Sequence, residues 1–172
     1  TAAPKLKRFL SDVKDGATWT TLWDFAPMNA VGSAEMADLF GNSTIFESPK
    51  PTGLLKYVLQ AATDSDSLVL DFFAGSSSTA AAVMKQNLDD GGSRTFIMVQ
   101  LAEESPEGSV AAGQGFTSIP GLSRERLRRE GSRLRERAIG SGLDIGFRAL
   151  RLDTTNMAEV LRVPDETGQA EL

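Results

Sequence analysis

The chain has 172 residues, of which 41% are hydrophobic and 24% are charged, and its formal net charge is −5. This length is sufficient for one domain with a hydrophobic core, and without an apolar run of about eighteen residues no transmembrane helix is predicted. Because the chain contains neither Cys nor His, disulfides, thiolate metal sites and catalysis by a His general base are excluded.

Loops and two helices are predicted ahead of the first strand. The segment TWTTLWDFAPMN is expected to be extended or loop-like, and SAEMADLF is expected to form a short helix that Ser33 opens. Pro49 and Pro51 predict an extended approach to a second helix. The apolar residues of that helix recur at helical spacing: Leu54, Leu55, Val58, Leu59 and Ala62.

Two strands and a connecting helix are predicted next. SLVLDFF is expected to be a strand buried on both faces, because Leu68, Val69 and Leu70 are contiguous. Residues 76–88 predict a helix, DDGGS predicts a turn, and RTFIMVQL predicts a second strand. A polar loop from Ala102 to about Leu122 follows.

An arginine-rich helix over residues 123–139 and a third strand in GSGLDIGFRALRLD complete the predicted order, and the tail from Asn156 is expected to be loose. Strands that alternate with helices predict an α/β fold with right-handed crossovers. We therefore expect a partial Rossmann-like sheet of about three parallel strands with flanking helices, and one bare edge.

The loop after the first predicted strand is the first candidate binding site. Ligands of such sheets bind at the carboxyl edge, and Gly75 would let the backbone turn sharply there. Hydroxyls and amides at the start of the next helix, from Ser76, Ser77, Ser78 and Thr79, would suit an anionic group. The alternative is that Gly75 only makes a tight turn and the serines only cap the helix.

Two nucleotide motifs fit this loop poorly. A dinucleotide-binding G-x-G-x-x-G would need glycines where Ser77 and Ala80 stand, and a P-loop would need a Lys before Lys85. A smaller adenosine ligand that carries a carboxylate fits better, because Asp71 would accept from an ammonium while the loop amides face the carboxylate. S-adenosylmethionine has both groups.

The stretch VLDFFAGSSSTAAAVM resembles the first S-adenosylmethionine motif, Asp-x-Phe-x-Gly-x-Gly, of amino-group DNA methyltransferases. The preceding FESPKPTGLLKYVLQAA resembles their motif X. With TLWDF, VGSAEMADLF and the segments behind the motif, the succession over about residues 18–160 resembles the C-terminal part of the modification subunit of type III restriction-modification systems. These subunits are β-type amino-group DNA methyltransferases.

The resemblance implies a set of cofactor-binding residues. Asp71 is the implied partner of the methionine ammonium, Ser77 stands where the motif has its second Gly, and Gln100 stands where an acid would bind the ribose, with Glu104 shortly after. The implied cofactor-binding residues are Phe46, Ser48, Pro49, Lys50, Pro51, Asp71, Phe72, Phe73, Ala74, Gly75, Ser76, Ser77, Ser78, Thr79, Gln100 and Glu103. We predict no metal site.

The catalytic Asp-Pro-Pro-Tyr of this family is absent, since the sequence has seven prolines and no Pro-Pro pair. In the β-type order that motif and the recognition domain precede motif X, so we expect the chain to be a C-terminal piece of a longer protein and, alone, to be inactive. We assign no catalytic residue. The expected organisation is the end of a target-recognition or linker region at 1–45, an S-adenosylmethionine-binding subdomain at 46–155, and a tail at 156–172.

Seven of the twelve arginines lie between Arg124 and Arg137. In one interpretation they form a solvated face while Leu127, Leu134 and Ala138 mark the inner face. In the other they contact DNA phosphates, and the candidates are then Arg124, Arg128 and Arg135.

The expected function is the cofactor-binding portion of a DNA adenine-N6 methyltransferase, which moves a methyl group from S-adenosylmethionine to a base amino group. The alternative is a non-catalytic remnant that serves as a binding or assembly module. The expected partners are DNA and a restriction subunit, and a homodimer is the candidate for self-association. The N-terminus lacks the apolar core of a signal peptide and Cys is absent, so a cytoplasmic protein without membrane contact is expected.

Overall fold

The computed structural model describes residues 19–137, 142 and 144–153, which form five helices and two strands. These elements, in chain order, are α1 (Asn29–Phe40), α2 (Thr52–Ala62), β1 (Leu68–Asp71), α3 (Ser78–Asp90), β2 (Thr95–Met98), α4 (Val110–Gly113) and α5 (Ile119–Arg137). None of the described helices is long and apolar enough to cross a membrane.

Helix α1 begins at Asn29, four residues before the predicted start at Ser33. The N-cap residue, Met28, makes no side-chain capping bond, so the sequence carries no start signal at this position. The helix ends at Phe40, and its C-cap residue is Gly41. The φ of Gly41, 77°, is the left-handed conformation that glycine adopts without steric cost. Helix α2 begins after Pro51 and agrees with the predicted second helix.

Strands β1 and β2 pair in parallel, with Leu68 opposite Thr95 and Asp71 opposite Met98. Helix α3 connects them, as the predicted order requires. Val69, Phe96 and Met98 contact apolar side chains of the helices, and these clusters include residues of α2, α3 and α5. The sheet therefore has one face covered by helices, which confirms the α/β arrangement on this side.

The opposite face of the sheet is exposed. Leu68, Leu70, Ile97 and Val99 alternate with the covered residues and are 61%, 58%, 48% and 40% exposed. The prediction that β1 is buried on both faces is therefore wrong for the described chain. A contiguous apolar run indicates that both faces suit burial, but it does not say which segment covers the second face.

The third predicted strand is absent from the described residues, since 142 and 144–153 form no strand. Ile145 and Phe147 instead pack against the apolar cluster of α3 and α5, and Leu150 and Leu152 are almost fully exposed. The side chains of Ile145 and Phe147 contact the helices, and this packing requires no backbone pairing. Residues 140, 141 and 143 of that prediction, and the predicted loose tail from 156, lie outside the described residues.

The predicted polar loop of residues 102–122 contains structure of its own. Helix α4 begins after Ser109, whose hydroxyl accepts from the Ala112 amide at 3.2 Å, and Glu104 forms an isolated antiparallel bridge with Ser118. Ala111 of α4 and Leu122 at the start of α5 join an apolar core with residues of α1 and the segment after it. The other members of this core are Met36, Leu39, Phe40 and Ile45. The connection is thus packed onto α1.

Candidate functional site

The loop between β1 and α3 is fastened to the end of β2. The Val99 amide donates to the Asp71 carbonyl at 2.8 Å, and the Ala74 amide donates to the Val99 carbonyl at 3.1 Å. The Gly75 amide donates to the side-chain Oε1 of Gln100 at 2.7 Å. The loop consequently crosses the carboxyl edge of the sheet, where ligands of parallel sheets bind.

The carboxylate of Asp71 is held by two bonds from within the loop. Its Oδ1 accepts from the Phe73 amide at 3.1 Å, and its Oδ2 accepts from the Thr79 hydroxyl at 2.6 Å. A carboxylate has about four lone-pair sites on its two oxygens, so each oxygen can still accept a bond from an ammonium. Asp71 is partly exposed and therefore presents an oriented negative charge at the edge of the sheet.

The three serines of the loop point into the protein. Ser76, Ser77 and Ser78 are 3%, 1% and 5% exposed. The Ser77 hydroxyl pairs with that of Ser123 on α5, and the other two hydroxyls accept from a buried arginine of the same helix. Their hydroxyls are thus occupied inside the fold. The loop exposes mainly the rings of Phe72 and Phe73, which are 61% and 82% exposed.

Ser77 adopts the left-handed conformation, with φ 58° and ψ 37°. This explains why the resemblance predicts Gly at this position, since a Cβ is strained in that region. We expect Ser77→Gly to be more stable than Ser77→Ala by about 1 kcal/mol, because both variants lose the hydroxyl but only Gly relieves the strain. Urea unfolding of the two variants measures the difference.

Ser132 provides the control for this comparison because it is exposed within α5 and has ordinary helical geometry. At Ser132 the order should reverse, with Ala more stable than Gly by about 1 kcal/mol. If Ala is more stable than Gly at both positions, the backbone of Ser77 is not strained.

The segment that resembles motif X lies against this loop. A Cβ on Gly75 would be 3.4 Å from Cζ of the Phe46 ring. Pro49 and Pro51 are fully buried, while Ser48 and Lys50 are exposed. The structure therefore brings the two predicted cofactor segments together, although it holds Pro49 and Pro51 in the interior.

Gln100 and Glu103 follow β2, as predicted, but their environments differ. Gln100 accepts from the Gly75 amide, so its side chain supports the loop. Glu103 is exposed, and its backbone carbonyl accepts from the Ile119 amide at 2.9 Å. Of the two residues only Glu103 has a carboxylate, and that residue is exposed.

A buried polar network that sequence reasoning missed lies beneath the loop. Glu35 of α1 accepts from the Thr52 amide at 3.1 Å and from its hydroxyl at 2.7 Å, so it caps α2 from another helix. Lys85 of α3 donates to the Thr52 hydroxyl at 3.2 Å and to Glu130 at 2.9 Å. Arg126 of α5 joins the same network through Glu35 at 3.2 Å.

One signal in the sequence could have indicated this network. Arg126 and Glu130 are four residues apart and adjoin Leu127 and Leu134, which belong to the inner face of α5. Burial lowers the pKa of Arg126, and the charges of Glu35 and Glu130 oppose that effect. The guanidinium remains the charged partner of both carboxylates.

The arginines of α5 fall into three groups. Arg124, Arg128, Arg135 and Arg137 are exposed, and the first three are the predicted candidates for a DNA contact. Arg129 donates to the Leu39 carbonyl at 2.8 Å and lies 4.4 Å from the centre of the Phe40 ring, and Arg133 pairs with Asp38. Arg126 forms the third group because it is fully buried. Neither a solvated face nor a phosphate surface describes the whole helix.

Comparisons with known proteins give a consistent family. A family model described as DNA methylase matches residues 3–110. The chain is 41% identical over 139 residues to the StyLTI Mod subunit of a type III restriction-modification enzyme from Salmonella typhimurium, which covers 81% of this chain and 21% of that protein.

Two further relatives have lower coverage. The EcoPI Mod subunit of a type III restriction-modification enzyme from Escherichia phage P1 is 39% identical over 98 residues, with 57% of this chain and 15% of that protein covered. The type II methyltransferase M.KpnI from Klebsiella pneumoniae is 33% identical over 108 residues, with 62% of this chain and 26% of that protein covered. The chain thus spans about a quarter or less of the length of these curated relatives.

Proposed function

The chain belongs to the DNA methylase family that matches residues 3–110, and we propose that it forms the cofactor-binding part of a DNA adenine-N6 methyltransferase. The observation that carries this proposal is the position of Asp71 at the carboxyl end of β1, beside a glycine turn that the Phe46 segment contacts. An acid, a tight turn and aromatic rings therefore lie at one edge of a parallel sheet.

The residues at this edge fit S-adenosylmethionine. Asp71 would accept from the ammonium of the methionine part, and the backbone amides at the start of α3 would face its carboxylate. The exposed rings of Phe72 and Phe73, with Phe46, would supply apolar contact for the adenosine part. When bound, the cofactor supplies an electrophilic methyl group.

The other proposed cofactor-binding residues divide by environment. Ala74, Pro49, Pro51 and the three serines would act by shaping the loop, because they are buried. Ser48, Lys50 and Glu103 are exposed and would contact the ligand directly, and Thr79 and Gln100 would orient Asp71 and Gly75.

The proposed organisation and partners follow from the same family. Residues 46–155 would be the cofactor-binding subdomain, between the end of a target-recognition or linker region at 1–45 and a tail at 156–172. DNA would be the substrate and a restriction subunit the partner, and exposed Arg124, Arg128 and Arg135 would contact phosphates.

The uncovered face of the sheet supports a second candidate function, a non-catalytic module for binding or assembly. Leu68, Leu70, Ile97 and Val99 form an apolar surface that a partner, such as a second copy of the chain, would cover. A module of this kind has no need for S-adenosylmethionine. Calorimetric titration of the chain with S-adenosylmethionine separates the two functions, because binding supports the first and its absence supports the second.

Asp71→Asn is expected to weaken S-adenosylmethionine binding by about 1.5–3 kcal/mol, the cost of a lost hydrogen bond to a charged group. Asn retains the shape of Asp, but it removes the charge that the ammonium needs and replaces one acceptor oxygen with an NH2 donor. The matched control is Asp66→Asn in the exposed turn before β1, which should leave the affinity unchanged. Equal affinities of the two variants would exclude the contact between Asp71 and the ammonium.

A further inference from the structure

Arg126 is fully buried, and its guanidinium donates mainly to the loop after β1. Its Nη1 lies 2.8 Å from the Ser76 hydroxyl, 2.7 Å from the Ser78 hydroxyl and 3.4 Å from the Ser76 carbonyl. Arg126 is separated from these two serines by about fifty residues in sequence. Helix α5 therefore holds the loop on both sides of Ser77.

The opposite end of the same guanidinium contacts Glu35 of α1, which caps the start of α2. Its Nη2 lies 3.2 Å from Oε2 of Glu35, which also accepts from the amide and hydroxyl of Thr52. Thr52 lies in the motif X segment and directly follows Pro51, the last of the proposed cofactor-binding residues in that segment. A single side chain thus connects the supports of both proposed cofactor segments.

Burying this arginine is costly, which argues that it does more than stabilise the fold. Its Nε is buried without a hydrogen-bond partner among the described residues. Replacing a buried ion pair with apolar side chains of similar volume is often neutral or stabilising. The property that an apolar residue would not supply is therefore the pair of hydrogen bonds that Arg126 donates to Ser76 and Ser78 of the loop after β1.

The strained backbone of Ser77 gives this contact a specific task. A left-handed conformation at a non-glycine residue persists only when its surroundings fix it. Here the hydroxyl of Ser77 is fixed by Ser123, and the residues on either side are fixed by Arg126. The three serine side chains thus fix the backbone of the loop from the interior of the protein.

We propose that Arg126 is a positioning residue that keeps the loop of residues 74–79 in the conformation that binds ligand. This inference rests on the proposed cofactor site and names the group that orders it. The guanidinium acts through Ser76 and Ser78 and makes no contact with the ligand itself.

The test compares Arg126→Met, Arg126→Lys and the double variant Ser76→Ala/Ser78→Ala with Arg129→Met. The double variant removes the two serine hydroxyls that accept from Arg126 and leaves Arg126 paired with Glu35. It therefore remains informative if Arg126→Met does not fold. Arg129 lies on the same helix and contacts Glu125, Leu39 and Phe40 but not the loop, which makes it the matched control.

Two properties are measured in the complete chain. The first is the hydrogen-exchange rate of the Ala74, Gly75 and Ser77 amides without ligand, all of which are hydrogen-bonded in this structure. The second is the affinity for S-adenosylmethionine. We expect at least a tenfold faster exchange and a tenfold weaker affinity in Arg126→Met and in the double variant, partial recovery in Arg126→Lys, and neither change in Arg129→Met.

The outcomes distinguish this inference from the proposed function. If the loop amides exchange no faster in the Arg126 and serine variants than in Arg129→Met, Arg126 does not position the loop. If exchange accelerates while the affinity stays at the wild-type value, the ordered loop is not what the ligand needs, and the inference is again overturned. If exchange accelerates but the wild-type chain binds no S-adenosylmethionine, the loop-ordering role stands and the proposed function fails.

Discussion

Gly32→Ala is expected to lower the free energy of unfolding by about 3 kcal/mol, at the upper end of the range for overpacked sites. A Cβ at Gly32 would lie 2.0 Å from the carbonyl oxygen of Pro49 and 2.9 Å from its carbonyl carbon. Both are backbone atoms of a buried segment, so they cannot move aside as the end of a flexible side chain would. The helix propensity that Ala adds, about 1 kcal/mol, does not offset this clash.

Urea unfolding measures the effect of Gly32→Ala. The control is Gly113→Ala at the end of α4, where an added Cβ would meet no atom within 4 Å. We expect Gly113→Ala to retain wild-type stability. If Gly32→Ala unfolds at the same urea concentration as this control, α1 does not pack on the Pro49 backbone as the structure describes.

Gly75→Val is expected to abolish S-adenosylmethionine binding while leaving the chain largely folded. Gly75 has φ +52°, a conformation that costs an L residue about 1–2 kcal/mol and a β-branched residue more. The new Cβ would also lie 3.4 Å from the Phe46 ring, so its branches would enter the space between the two proposed cofactor segments. Calorimetric titration measures the affinity, and circular dichroism measures the folded fraction.

The control for Gly75→Val separates backbone strain from damage to the site. Gly115 has φ +86° and no atom within 4 Å of an added Cβ, so Gly115→Val introduces comparable strain away from the loop. This variant should lose similar stability and keep the wild-type affinity. Wild-type affinity in Gly75→Val would remove the binding site from this loop.

Local signals predicted the elements that carry the site. The apolar spacing after Pro51 gave α2, and the contiguous apolar runs gave β1 and β2. The helix predicted at residues 76–88 is α3, which begins and ends two residues later than predicted, at Ser78–Asp90. The resemblance to type III modification subunits is confirmed by the family and by the relatives. These features depend on residues that are neighbours in sequence, which is why they could be predicted.

Side-chain directions and the second layer of the sheet could not be predicted in the same way. Ser76 and Ser78 suited an exposed anion site in sequence, yet they face a residue about fifty positions away. Ile145 and Phe147 had strand spacing, yet they pack on helices. In each case a contact between distant segments decided the outcome, and such contacts leave little trace in local periodicity.

The three groups of arginines on α5 should tolerate substitution by Lys during evolution to different degrees. Arg124 and Arg135 are exposed, so exchange with Lys should accumulate freely there among descendants of this chain. At Arg129, which stacks on Phe40, Lys would lose the planar contact. At Arg126 a single amine cannot span two serines and Glu35, so a helix that looks repetitive in composition contains one position at which drift is blocked.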